Sequence, residues 1–177
     1  TGTSSTVGST TFASGNVTTG SDRVGGLVGS VEGGTVSNVY ASGVVTGNYY
    51  VGGLAGYASS AISSASAINK VLGVSGTGGS AVNYGVKGTY QVGGLVGDLW
   101  TTTISGSLAD TVVLGTGYDV GGLIGRMEYG TVNTSGSFGS VTGVGSTGGF
   151  AGSMINSSNV TTSYANANVI STGTGTG

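Results

Sequence analysis

A glycine-rich sequence of six residues occurs five times in this chain of 177 residues. The copies read VGGLVG, VGGLAG, VGGLVG, VGGLIG and TGGFAG, and they begin at Val24, Val51, Val92, Val120 and Thr147. Their starts are 27, 41, 28 and 27 residues apart, so the period is near 27 and one interval carries about 14 extra residues. Self-similarity at this period is typical of solenoids, in which each repeat packs only on its neighbours.

Two further apolar runs recur between the hexapeptides. The first run places an apolar residue in register at Val7, Val36, Ile62, Ile104, Val132 and Val160. A large side chain follows a few residues later, at Phe12, Tyr40, Leu108, Phe138 and Tyr164. The second run, in forms such as NVTTG and SVTG, precedes the next hexapeptide. Glycine interrupts every run before helical spacing can extend over about 11 residues, whereas Val, Ile, Thr and Tyr favour short strands.

Three short strands and three corners therefore predict one closed coil, with glycine and asparagine supplying positive φ at the corners and the paired glycines lying there. A coil cannot bury its apolar face alone, so we predict an all-β fold, a parallel β-solenoid (β-helix) of about five to six coils stacked about 4.8 Å apart. The alternative is an antiparallel sandwich, which has no reason to repeat one side chain at this period. One core ladder is predicted at Leu27, Leu54, Leu95, Leu123 and Phe150. A second is predicted at Val31, Ala58, Leu99, Met127 and Met154.

The repeats also define the organisation of the chain. We expect a polar N-terminal segment at residues 1–6, a single solenoid domain at 7–170 and a Thr/Gly-rich tail at 171–177. The longest interval predicts an irregular insertion within about residues 66–82. Because the first residue is Thr1 and not Met, we expect a processed chain or an excerpt of a larger one.

Composition excludes several kinds of chemistry. Forty glycines, 26 serines and 25 threonines would suit disorder, but 37% hydrophobic and only 6% charged residues predict a folded chain. The chain has no cysteine and no histidine, which removes disulfides, thiolate and imidazole catalysis, and metal sites built on those side chains. Four Lys and Arg residues are too few to neutralise a nucleic-acid backbone, and no apolar stretch approaches the about 18 residues of a membrane span. We therefore expect no cofactor, no metal, no nucleic acid and no membrane insertion.

The hexapeptides resemble the GLUG motif, a short glycine-rich repeat of large secreted bacterial proteins that include filamentous-haemagglutinin-like adhesins and some extracellular peptidases. The resemblance extends from about Val7 to Ile170, and TGGFAG departs from the pattern by Thr for Val and Phe for Leu. In such proteins the motif belongs to a repetitive extracellular region, and any catalysis resides elsewhere in the polypeptide. The resemblance thus implies a secreted, extracellular or cell-surface location and a repeat fold, and it names no ligand.

A column of tyrosines is the first candidate site. The residue two positions before each hexapeptide is Asp22, Tyr49, Tyr90, Tyr118 or Gly145. Stacked coils would place the three tyrosines on adjacent strands, flanked by Tyr50, Gln91 and Asp119. Such an exposed ladder could contact a glycan or a partner protein, or it could only stabilise the sheet through cross-strand stacking.

Charged residues are the second group of candidates. Asp98 and Arg126 follow successive hexapeptides at equivalent positions, so we predict an exposed structural ion pair that contributes about 0–1 kcal/mol and fixes register. Glu32 and Glu128 occupy equivalent corners of non-adjacent coils, too far apart for the paired carboxylates of a glycosidase. With no acid-base set visible, the sequence predicts that the chain is not an enzyme and has no catalytic residue.

These features favour a non-enzymatic structural or adhesive β-solenoid, the stalk or repeat region of a bacterial surface adhesin. Its expected partner is a glycan or protein on a host or neighbouring cell. The alternative is an extracellular filament subunit that self-associates end to end through unpaired strands of its terminal coils. A carbohydrate-binding or ice-binding solenoid is a minor alternative, and a threonine column read as Thr19, Thr46 and Thr142 is interrupted by Lys87 and Gly115.

Overall fold

A computed structural model of the chain describes residues 6–7, 11–68 and 85–173. These residues form 25 β-strands, β1 to β25 in chain order, and no helix. The strands lie in four sheets, and every pairing between described strands is parallel. The parallel β-solenoid predicted from the period is therefore confirmed, with about five turns and a period of about 28 residues.

Two sheets are formed by the hexapeptides and the residues that flank them. Sheet I comprises β4 (Val24–Gly25), β9 (Tyr49–Gly52), β14 (Tyr90–Gly93), β18 (Val120–Gly121) and β22 (Thr147–Gly148). Sheet II comprises β5 (Val28–Val31), β10 (Ala55–Ala58), β15 (Val96–Trp100), β19 (Ile124–Glu128) and β23 (Ala151–Ile155).

The other two sheets are formed by the runs between hexapeptides. Sheet III comprises β1 (Thr6–Val7), β6 (Thr35–Ser37), β11 (Ile62–Ser63), β16 (Thr103–Ser105), β20 (Thr131–Asn133) and β24 (Asn159–Thr161). In the later coils sheet IV has β17 (Leu108–Gly115), β21 (Gly136–Gly143) and β25 (Tyr164–Ser171). In the earlier coils its strand is divided into β2 (Thr11–Ala13) and β3 (Val17–Thr18), β7 (Val39–Ser42) and β8 (Val45–Thr46), and β12 (Ser66–Ile68) and β13 (Val86–Gly88).

The extra residues of the longest interval lie in the sequence between β12 and β13. Ala41 and Val45 of the preceding coil are four residues apart, whereas their partners Ala67 and Val86 are 19 apart, so the insertion adds 15 residues. Residues 66–68, which the sequence placed within the insertion, belong to β12. Residues 69–84, and the ends of the chain at 1–5 and 174–177, lie outside the described residues.

Each hexapeptide forms a bend that points into the coil. In the first four copies the first residue, a valine, packs in a cluster of buried valines with sheet IV. In all five copies the fourth residue packs in or against a larger cluster formed with sheets II, III and IV. Its third residue lies between the two clusters: a Cβ on Gly26 would be 3.4 Å from Ala41 Cβ of the larger cluster and 3.3 Å from Val45 Cγ2 of the valine cluster. The bend therefore divides the interior into two cores, and we call it the inward arc.

The two core ladders occupy the larger cluster. Leu54, Leu95 and Leu123 are fully buried, whereas Leu27 and Phe150 in the outer coils are half-buried against the same cluster. The second ladder is in direct register from Val31 through Ala58, Leu99 and Met127 to Met154. Its last member is 44% exposed because no described coil covers it.

The hexapeptide glycines provide space at a bend, and the positive φ predicted for glycine and asparagine at corners is found outside the hexapeptides, as at Gly34, Gly43 and Asn38. None of the hexapeptide glycines has a positive φ. The left-handed corners before the arcs are formed instead by Arg23, Tyr50, Gln91 and Asp119. The cost of that conformation is offset by bonds between coils, because the N–H of Arg23 donates to Tyr49 O at 3.0 Å and that of Gln91 to Tyr118 O at 3.1 Å.

Two predicted columns differ from the register of sheet IV. Phe138 pairs with Asp110 and Asn166, not with Leu108, and the large side chains of that column are mostly exposed because small residues such as Ala109 face the core. The second corrected column contains threonine but is interrupted by larger side chains. It reads Thr18, Thr46, Lys87, Leu114, Thr142 and Ile170.

Candidate functional site: a tyrosine stack beside a closed seam

The rings of Tyr49, Tyr90 and Tyr118 form a stack across three coils. The Tyr49 and Tyr90 ring centroids are 4.9 Å apart with 17° between the ring planes, and those of Tyr90 and Tyr118 are 6.1 Å apart with 19°. Tyr49 and Tyr90 are direct partners of β9 and β14. Tyr49 is 36% exposed and Tyr118 is 60% exposed, while Tyr90 between them is half-buried. We call these three residues the tyrosine stack.

Local backbone geometry holds the stack on the outside of the coil. The residue after each stacked tyrosine has a positive φ, 50° at Tyr50, 46° at Gln91 and 63° at Asp119. Such a residue interrupts the alternation of the strand, so the following valine turns into the core. Tyrosine is thereby left outside while Val51 and Val92 are fully buried.

The central ring of the stack is covered on both faces, because Tyr90 is stacked with Tyr49 on one side and with Tyr118 on the other. In the next coil, a Cβ on Gly145 would be 2.8 Å from Tyr118 Cε1, so the backbone there lies close to the Tyr118 ring. A partner therefore reaches the edge and the phenolic hydroxyl of Tyr90 and not its faces.

The stack continues into an aromatic band around the mouth of the arc. The Tyr49 and Tyr50 ring centroids are 6.3 Å apart, and the edge-on pair Tyr50 and Tyr57 is 6.4 Å apart. Arg23 Cζ lies 4.6 Å from the centroid of the Tyr57 ring, and its guanidinium also bonds Glu32. Tyr50, which the sequence placed beside the tyrosine column, therefore connects the tyrosine stack through Tyr57 to the guanidinium of Arg23.

Tyr57 and Arg23 are functional candidates that the tyrosine column alone does not reveal. They belong to two columns of residues that face each other where the two arms of each inward arc come together. We call this pair of columns the seam. The first column is Arg23, Tyr50, Gln91 and Asp119, and the second is Ser30, Tyr57, Asp98, Arg126 and Ser153. A spacing of seven residues relates Tyr50 to Tyr57 just as it relates Arg23 to Ser30. That spacing is visible in the sequence once the inward arc is known.

Asp98 and Arg126 are direct partners in sheet II, and the distance between Asp98 Oδ1 and Arg126 Nε is 3.4 Å. The prediction that this pair is exposed is wrong, because Asp98 is only 3% exposed and the Arg126 side chain 28%. Burial raises the pKa of Asp98 to about 6 against the lowering effect of Arg126, and the charges of Glu128 and Asp119 raise it further. The Asp98–Arg126 pair therefore lies within the seam and is partly shielded from solvent.

Arg126 also anchors a second carboxylate. Its Nη2 donates to Glu128 Oε2 at 2.6 Å, and Asn156 Nδ2 donates to Glu128 Oε1 at 2.8 Å. Both oxygens of this buried carboxylate are therefore engaged within the protein. Glu32 lies between β5 and β6, and two strands of sheet II separate its coil from that of Glu128. Within the described residues no group of three or more acidic side chains could hold a metal ion.

A second aromatic pair, with one exposed ring, lies at the next corner. The ring centroids of Trp100 and Tyr129 are 5.9 Å apart with 77° between the ring planes, and Tyr129 is half exposed. The two residues are not equivalent in successive coils, since Trp100 pairs with Glu128. Alignment of equivalent positions in the repeats therefore does not predict the contact between Trp100 and Tyr129.

The chain matches a known repeat family over part of its length. The family model of the GLUG motif matches residues 20–46 and 47–72. Those two matches cover the first two inward arcs. No curated protein and no solved structure matches the chain. Among the described residues, no helix has the length and apolar character needed to cross a membrane.

Proposed function

We propose that this chain is a non-enzymatic structural and adhesive rod, the stalk or repeat region of a bacterial surface adhesin that lies outside the cell. The tyrosine stack is the observation that carries the proposal. It places three aromatic side chains along the rod axis on a chain with very few charges. Two GLUG motifs and the β-solenoid fold support a repeat-type extracellular protein.

The geometry of the stack favours a particular kind of contact. Because neighbouring rings cover both faces of Tyr90, a partner meets the edge and the hydroxyl group of this ring. Tyrosine supplies apolar area and a hydrogen-bonding group with little loss of side-chain entropy, which is why it is frequent in recognition surfaces. The stack therefore suits a protein surface or the hydroxyl groups of a glycan on a host or neighbouring cell.

Substitution of the central tyrosine tests this proposal. Tyr90→Ser removes the ring that joins the other two, so adhesion of protein-coated beads to cells should fall by about tenfold or more while the circular dichroism spectrum is retained. Tyr129→Ser is the matched control, since it removes an exposed tyrosine outside the stack. Unchanged adhesion by folded Tyr90→Ser would leave the stack with a purely structural role.

A filament subunit is the second candidate, supported by the last coil. Strands β22 to β25 are the terminal strands of their sheets among the described residues, and they expose apolar side chains such as Met154 and Val169. Open strand edges can pair with another chain.

The stalk remains the first candidate, because the tyrosine stack lies along the inner strands of sheet I and not on its terminal strands. Negative-stain images of the purified chain distinguish the candidates: we expect isolated short rods, and ordered fibres would favour the filament.

A further inference from the structure

Five tyrosine rings form a continuous series that extends from the tyrosine stack to the mouth of an inward arc. Neighbouring ring centroids are separated by 6.4 Å from Tyr57 to Tyr50, 6.3 Å from Tyr50 to Tyr49, 4.9 Å from Tyr49 to Tyr90 and 6.1 Å from Tyr90 to Tyr118. Tyr49 and Tyr118 are exposed. The phenols of this series are therefore close to one another and within reach of a reagent in solution.

Tyr49 and Tyr90 are the closest pair of the series, and their arrangement suits oxidative coupling. They are direct partners on the parallel strands β9 and β14, and only 17° separates their ring planes. Both side chains therefore leave the sheet side by side, with corresponding ring atoms about one strand spacing of 4.8 Å apart. Rotation about χ1 and χ2 brings the ring carbons beside the two hydroxyl groups together, which are the carbons at which tyrosyl radicals couple.

Other exposed tyrosines lack such a partner. The Tyr129 ring meets Trp100 at 77° between the ring planes, and the Tyr164 ring meets Phe138 at 68°. Both tyrosines are more exposed than Tyr49, but within the described part of the chain neither ring contacts another tyrosine ring. The tyrosine stack therefore differs from these residues in the proximity of a second phenol and not in accessibility.

A covalent bond between Tyr49 and Tyr90 would join two coils on either side of the insertion. The chain has no cysteine, so no disulfide connects its coils. Tyr49 precedes the extra residues and Tyr90 follows them, and a bond between the two rings would close the long loop that contains the insertion. A cross-link that closes a long loop restricts the unfolded chain and so stabilises the folded one.

We propose that the tyrosine stack is an oxidative cross-linking site, at which a haem peroxidase with hydrogen peroxide joins Tyr49 and Tyr90 as dityrosine. Each phenol loses one electron and one proton, and the two radicals form a carbon–carbon bond between ring carbons that adjoin the hydroxyl groups. The hydrogen on each coupled carbon then moves to the phenolic oxygen, which restores both hydroxyl groups. Hydrogen peroxide takes up the two electrons and two protons and becomes two molecules of water.

Peptide mapping of the oxidised whole chain tests the proposal. Dilute protein is treated with a haem peroxidase and limiting hydrogen peroxide, and the monomer is isolated, denatured and digested with trypsin. Cleavage after Arg23, Lys70, Lys87 and Arg126 places Tyr49 in peptide 24–70 and Tyr90 in peptide 88–126. These two peptides should be recovered joined, with the loss of two hydrogen atoms and the blue fluorescence of dityrosine, and fragmentation should locate the bond at the two tyrosines.

Two conservative variants separate phenol chemistry from packing. Tyr90→Phe keeps a ring in the stack and removes the phenol, so the yield of the joined peptides should fall by at least about tenfold. Tyr129→Phe is the matched control, because it removes an exposed phenol outside the stack, and it should leave the yield unchanged. Oxidation should raise the midpoint of thermal unfolding of the unmodified monomer by at least about 4 °C, a shift that Tyr90→Phe should not show.

Three results would overturn the proposal. They are absence of the joined peptides from the oxidised monomer, equal yields from Tyr90→Phe and the unmodified chain, and cross-linking of peptide 127–177, which carries Tyr129 and Tyr164, as often as peptide 88–126. None of these readouts involves a cell surface, and the adhesion assay of Tyr90→Ser involves no oxidant. The cross-linking site and the adhesive role of the stack can therefore fail separately.

Discussion

The second and sixth residues of each hexapeptide have almost no room for a side chain. A Cβ on Gly121 would be 2.7 Å from Gly152 N, and one on Gly56 would be 2.6 Å from Tyr50 O. The two arms of the arc therefore pack backbone against backbone. Repetition of glycine at these positions follows from this close approach, and not from the turn geometry that glycine often provides.

Substitution of one such glycine should destabilise the whole rod. In Gly93→Ala the added methyl group meets backbone of its own arc and of the next coil, so relief requires movement of strands. We expect a loss of about 2–4 kcal/mol in the free energy of unfolding, measured by urea denaturation. Gly33→Ala is the control, because nothing lies within 4 Å of its Cβ position. Equal stability of the two variants would contradict the backbone packing.

Burial of Asp98 should make stability depend on pH. Because its pKa rises from 3.8 to about 6 on folding, the folded chain binds this proton more tightly than the unfolded chain. Its contribution therefore favours the folded state at low pH and is lost as the pH rises from about 4 to above 6. Asp98→Asn should remove this loss, so relative to wild type the variant gains on the order of 1–3 kcal/mol between pH 4 and pH 7.5.

Urea denaturation of both proteins at several pH values measures this difference. Ser153→Asn is a suitable control, since it changes the same column of sheet II without removing a carboxylate. A constant stability difference between Asp98→Asn and wild type across this range would show that the protonation of Asp98 is not coupled to folding.

At the scale of the element, serine hydroxyls connect successive coils at the corner between sheets III and IV. Ser107 N donates to Ser135 Oγ, and Ser135 N donates to Ser163 Oγ, both at 3.1 Å. Each hydroxyl also donates within its own coil, as Ser135 Oγ does to Asn133 O at 2.8 Å. One side chain thus satisfies a backbone donor and a backbone acceptor at a buried bend.

Removal of one serine should expose the energetic role of this ladder. Ser135→Ala leaves the Ser107 amide and the Asn133 carbonyl without that partner, so the free energy of unfolding should fall by about 1–3 kcal/mol. Ser140→Ala, at a partly exposed position of the same sheet, should change it by less than about 0.5 kcal/mol. Thermal unfolding followed by circular dichroism compares them, and matching midpoints would contradict a stabilising ladder.

The elements also show which features can be read from the sequence. Repetition of the hexapeptide predicts the strand type, the parallel pairing and the columns of Leu54 and Tyr90, because stacked coils put equivalent residues side by side. Periodicity does not say whether a bend points outward or inward, so the division of the core was not foreseen. The burial of Asp98 cannot be predicted from the period for the same reason. Asp98 lies in the seam, and the seam forms only where the two arms of an inward arc meet.

At the scale of the whole molecule, the insertion is an addition to an otherwise regular rod. Its two flanks, β12 and β13, both pair with β17 in the normal register. In the preceding coil only Gly43 and Val44 occupy the corresponding gap between Ser42 and Val45.

Replacement of residues 69–85 by Gly-Val should therefore preserve the rod. We expect the far-ultraviolet spectrum to be retained and the unfolding midpoint to remain within about 4 °C of that of the full chain, because the pairing of both flanking strands is kept. A scrambled insertion of equal length provides the control for chain length. A large fall in the midpoint with the short linker alone would show that the segment stabilises the coils.

The half coil formed by β1 to β3, at one end of the described rod, affects the order in which the molecule unfolds. A repeat that contacts only its neighbours can lose structure most easily where it has one neighbour and not two. Strands β1 to β3 each pair with one described strand only, and the coil of β22 to β25 exposes its own apolar side chains. Opening should therefore begin at either end and advance inward one arc at a time, so a protease would shorten the rod progressively before it cut the coils that carry the tyrosine stack.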